Sequence, residues 1–73
     1  MMFKYEVYVN SAMGPYTLIY GKNAKDVAAA YAETEQSTVV DNLVHEEPTA
    51  GLIVPTFSAF ISNGKKLVIK KIL

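Results

Sequence analysis

His45 is the single histidine of the chain, and Glu46 and Glu47 follow it directly. Imidazole and carboxylate are the ligand types of a transition-metal centre and the partners of general-base chemistry. Adjacent residues on an extended chain point to opposite sides, so this trio converges poorly on one ion. With no Cys, there is no thiolate ligand, thiol nucleophile or disulfide. A serine nucleophile would have to use His45, and no Gly-x-Ser-x-Gly turn accompanies any serine. Glu33 with Glu35 and Glu46 with Glu47 are carboxylate pairs, but a glycosidase-type pair must flank a cleft. Gly14, Gly21, Gly51 and Gly64 are isolated, so no phosphate-cradling loop can be written across them. The pattern points away from an enzyme, a metal centre and a cofactor site.

The remaining candidates are aromatic and basic. The five tyrosines (Tyr5, Tyr8, Tyr16, Tyr20 and Tyr31) all fall in the first 31 residues, and aromatic groups on a sheet can stack single-stranded bases. Lys65, Lys66, Lys70 and Lys71 cluster at the C-terminal end, where they could follow a phosphate backbone or protect a sheet edge. Every basic residue is Lys, whereas Arg is the preferred reader of phosphates and base edges. The formal net charge is zero. It is also segregated: residues 1–25 carry +2, residues 26–47 carry −6 and residues 48–73 carry +4. Such a dipole steers a partner.

The elements that must position these groups are readable from periodicity. Phe3, Tyr5, Val7 and Val9 alternate with Lys4, Glu6, Tyr8 and Asn10, the signature of a half-buried strand. A turn segment ending in Gly14-Pro15 leads to a second strand, Tyr16 to Tyr20, giving an antiparallel hairpin. Asn23 is a good helix N-cap with Asp26 at the third helical position. Ala24, Val27, Ala28 and Tyr31 then recur at helical spacing, predicting a helix to about Glu35. Residues 37–45 favour a strand through Thr38-Val39-Val40, with a short helix capped by Ser37 as the alternative. Residues 46–51 read as a loop.

Leu52 to Ile61 is a strand broken or edged at Pro55. Asn63-Gly64 predicts a type I′ turn, which would pair Phe60 with Leu67, Ala59 with Val68 and Ser58 with Ile69. The last strand is Lys65 to Leu73. On that register Phe60, Leu67 and Ile69 share one face, and Ala59, Ile61, Val68 and Ile72 the other.

The whole is expected to be one α+β domain over residues 1–73. Its order is ββαβββ, a mostly antiparallel sheet with one helix packed on a face. One short helix cannot cover two apolar faces. Either the second face meets a partner or a second copy, or the sheet curls to bury it. A chain of 73 residues supports only one small core. No apolar run approaches the roughly 20 residues that span a bilayer, so a soluble, cytoplasmic protein is expected.

The leading expectation is a small regulatory or inhibitory module that docks on a larger protein complex. Its size class suggests a phage-type inhibitor of host machinery such as RNA polymerase. The expected contact residues are Lys4, Glu6 and Tyr8 on strand one, with Lys65, Lys66, Lys70 and Lys71 on the last hairpin. Single-stranded nucleic-acid binding is the alternative, and a self-associating structural subunit is a third. No cofactor, metal ligand or catalytic residue is expected.

Overall fold

The computed structural model describes residues 1–48 and 54–73. Among these, five strands and one helix follow in the order β1 (Phe3–Val9), β2 (Thr17–Gly21), α1 (Ala24–Thr34), β3 (Val39–Glu47), β4 (Thr56–Ile61) and β5 (Lys66–Ile72). All pairings are antiparallel, and the spatial order is β2-β1-β5-β4-β3. The N-terminal strand thus joins the C-terminal one at the sheet centre. The sheet is curled, and the helix packs on one face, the inner face. The α+β expectation holds.

Asn23 caps the helix as expected, its Oδ1 accepting from the Asp26 N–H at 2.8 Å. No glycine is used to end it. Gln36 takes the left-handed conformation (φ 55°). The Gln36 N–H then donates to the Glu33 carbonyl and the Ser37 N–H to the Ala32 carbonyl. This Schellman closure turns the chain straight into β3. The buried stripe of the helix is Ala24, Val27, Ala28 and Ala32. Small side chains let the helix axis lie close to the sheet, and Gly21 shows how close. A Cβ at that position would sit 2.7 Å from Val27 Cγ2. The inner face of the sheet supplies Tyr5, Val7, Ala59, Ile61, Leu67 and Ile69 to the same core.

Residues 37–45 resolve in favour of the strand, and β3 extends through Glu46 and Glu47, which the sequence reading placed in a loop. Its pairing is irregular. From Val39 to Val44 the strand advances five residues, while β4 advances two, from Ile61 to Ala59. The extra length lies between two valines whose partners, Ile61 and Ala59, face the core. Strand β4 starts just after Pro55, so the proline costs no ladder bond; its carbonyl accepts from the Lys71 N–H. The apolar residues Leu52 and Ile53, assigned to that strand from sequence, lie outside the described residues.

The turn at Asn63-Gly64 corrects the expected register. Gly64 N–H donates to the Ile61 carbonyl at 2.9 Å, and Ile61 N–H to the Lys65 carbonyl at 3.0 Å. Of the turn residues, only Gly64 has a positive φ (90°). A type I′ turn needs positive φ at both central positions, so this is a three-residue loop, a type I turn closed by a left-handed glycine. The single added residue shifts every pair: Phe60 faces Lys66, Ala59 faces Leu67 and Ser58 faces Val68. Because side chains alternate, the shift also exchanges faces. Ala59 and Ile61 join Leu67 and Ile69 on the inner face, and Phe60 moves to the outer face with Val68.

Candidate functional site

The outer face of the sheet carries most of the residues singled out from sequence. Its layout follows from the register. One row runs Leu18, Glu6, Lys70, Thr56, Glu47 across β2, β1, β5, β4 and β3. The next row runs Tyr8, Val68, Ser58, His45, with Tyr16 stacked on Tyr8 at its β2 end. Lys4 stands between Tyr20 and Ile72.

The middle of this face is closed, although the helix lies on the other side. Val68 is only 5% exposed and Ser58 7%. The curl brings flanking side chains over them. Lys66 Nζ lies 3.4 Å from Glu47 Oε1, so this ion pair reaches diagonally across β4, where Ser58 is small enough to pass beneath. Tyr8 is held between neighbours: its ring stacks on Tyr16 at 5.3 Å, and Lys70 Nζ sits 4.9 Å from its centroid. Since β1 lies between β2 and β5, these contacts approach Tyr8 from opposite sides. Its hydroxyl donates to Glu6 Oε1 at 2.7 Å. That bond to a carboxylate, reinforced by partial burial, pushes the phenol up to about 12.

The seven contact residues expected from sequence therefore divide. Lys4, Glu6, Tyr8, Lys66 and Lys70 share the outer face. Lys65 and Lys71 do not join them. Lys65 Nζ binds Glu35 Oε1 at 2.8 Å, and Asn63 Nδ2 donates to the same oxygen at 2.9 Å. This ties the last turn to the helix C-cap. The Lys65 bond, with one from Tyr31, holds the Glu35 carboxyl below its ordinary value. Lys71 lies on the inner side with its Nζ 3.8 Å from the Phe3 ring centroid. Lys70 also donates to the Ala12 carbonyl at 3.3 Å. The C-terminal lysines are thus largely engaged within the fold, each by a different neighbour. His45 and Glu47 share the outer face, while Glu46 turns inward opposite Phe57. The trio does not converge.

The large apolar groups that the outer face leaves open lie along its two margins. On β2, Leu18 is 51% and Tyr20 59% exposed; at the far side Phe60 is 56% and Leu43 51% exposed. Val40, Leu43, His45 and Phe60 line a groove of about 270 Å³. Phe60 reaches it because of the shifted turn register, and Val40 and Leu43 because of the β3 irregularity. Neither device is written in periodicity, so sequence reasoning missed these three residues. A second cleft, about 560 Å³, opens on the inner side beyond the helix N-terminus, between Lys22, Lys25, Glu46, Phe57 and Lys71. It brings ammonium groups and one carboxylate together but no nucleophile with a base. Among the described residues, no helix is long and apolar enough to cross a membrane.

Comparison with protein-family models, with curated proteins and with solved structures finds no match to this chain.

Proposed function

We propose that the chain is a small regulatory or inhibitory protein-binding module rather than an enzyme, and that it docks on a larger protein through the β3–β4 margin of its outer face. One observation carries the reading. Phe60 and Leu43 stand half exposed around an apolar groove, on a face whose centre the fold has already closed. Large apolar groups that the chain does not need for its own core, grouped in one groove, are what a protein partner buries. The nearby Lys66–Glu47 pair supplies a polar rim that can orient the partner.

The lysines expected to form the contact are engaged within the fold, so they support the reading less than the apolar groove does. The nucleic-acid alternative draws on Tyr8, whose ring is already taken up by Tyr16 and Lys70; it gains no support from this geometry. The finer expectation, a phage-type inhibitor of RNA polymerase, rests on chain size alone.

The test is affinity capture of the tagged chain from lysate of its own cell or host, with nuclease present, read by mass spectrometry. A stoichiometric protein that survives nuclease and is lost with the Phe60→Ser, Leu43→Ser double variant is the expected result. Recovery of the bait alone, or partners that vanish with nuclease, would overturn the proposal.

A further inference from the structure

The two edges of the sheet are built differently. The sequence of β3 puts His45, Glu46 and Glu47 along its edge, and its pairing with β4 is irregular. Charges and irregularities are the devices by which sheets discourage a further strand. At the other edge, β2 reads Thr17-Leu18-Ile19-Tyr20-Gly21: no charge, no proline, and an uninterrupted register against β1. No described strand lies beyond it. Its outward positions, Leu18 and Tyr20, are apolar and more than half exposed.

We propose that the β2 edge pairs with the β2 edge of a second copy of this chain, antiparallel about a two-fold axis at Ile19. This is independent of the docking groove, which lies at the opposite margin. The strand is complementary to itself in that register. Ile19 meets Ile19 of the second copy on the inner side. Leu18 meets Tyr20 of the second copy twice on the outer side, an aliphatic–aromatic cross-strand pair of the stabilising kind. Thr17 meets Gly21, and the flanking Lys22 falls opposite Tyr16, so no like charges are opposed. An isologous contact of this kind closes at two copies and leaves each β3 edge at the outside. Five residues a side bury less than the roughly 1,200 Å² of a standard interface, so the dimer is weak and depends on concentration.

Sedimentation equilibrium of the whole chain, from about 10 µM to about 1 mM, tests this. The weight-average mass rises from one chain toward two. A Leu18→Lys, Tyr20→Lys double variant sets like charges opposite one another at both contacts and weakens the dimer at least roughly tenfold. A Leu18→Lys, Tyr20→Glu variant sets opposite charges in the same register and restores it. Both are tolerated by the fold, because the two side chains are exposed; the second also places its new charges beside Glu6 and Lys4 of β1. Circular dichroism and a thermal melt check that each variant is folded. A wild-type chain that stays monomeric throughout, or a Lys/Lys variant that dimerises as well as wild type, overturns the proposal. A folded Lys/Glu variant that fails to recover the dimer overturns the self-pairing register.

Discussion

The two faces of this sheet reach a similar degree of burial at their centres by different means. On the inner face an alanine-striped helix lies over Val7, Leu67 and Ile69, and the close approach depends on Gly21. Among the described residues no helix lies on the outer face, and Val68 and Ser58 are covered by the curl of the sheet and by long side chains that cross it. A helix closes a face along its length, whereas curl closes only the middle. The large apolar groups left over stand at the margins, and that is where surfaces for other proteins are to be sought.

The comparison can be broken most sharply from the inner side. Ile69→Ala removes a fully buried side chain, and such changes cost about 2–5 kcal/mol. A single core of this size supplies about 3–5 kcal/mol. The variant is therefore expected to be largely unfolded at room temperature, as read by circular dichroism. A cooperative melt close to that of wild type would show that the inner core is not where stability resides. Gly21→Ala comes next. Its Cβ meets a buried branched side chain at 2.7 Å, and overpacking of this kind costs about 1–3 kcal/mol; the loss is read from denaturant midpoints.

On the outer face, Val68→Ala is expected to cost about 1–2 kcal/mol, from the two methyl groups it withdraws. A cost near zero would mean that the curl shields this centre without packing it.

The smallest effect concerns the strut between helix and turn. The Lys65 hydrogen bond holds the Glu35 carboxyl below its ordinary value of 4.5 in the folded chain. The stability this confers is present above that ordinary value and is lost as pH falls through the lower folded value. Melts of wild type and Glu35→Gln across that interval should converge as the pH falls, with the variant the less stable near neutrality. Parallel curves would remove the strut from the stability of the fold.

Much of this organisation could be read from residue order. The alternation from Phe3 to Val9, the Asn23 cap and the alanine spacing located β1, the start of α1 and its buried side. The β-branched run at 38–40 located β3. These are local patterns, each fixed by the period of one element. Two features were not set by such periods. The Asn63-Gly64 pair is compatible with turns of two or three residues, and the choice rests on the φ of Asn63, which composition does not set. That one residue decided whether Phe60 faced the core or the solvent. The irregularity in β3 likewise depends on pairing with β4 across the chain. The groove formed by Val40, Leu43 and Phe60 therefore could not be found from sequence, although every residue in it was visible there. The lysines had the opposite fate: conspicuous in sequence, they are drawn by proximity to Glu35, Glu47, Tyr8 and Phe3.

The most direct test of the docking margin is lysate capture with three baits side by side: wild type, the Phe60→Ser, Leu43→Ser variant and the Leu18→Lys, Tyr20→Lys variant. A nuclease-resistant partner held by wild type and by the β2 variant, and lost only with the β3–β4 variant, is the predicted result. A partner retained by the β3–β4 variant, or lost only with the β2 variant, would contradict the assignment of docking to the β3–β4 margin.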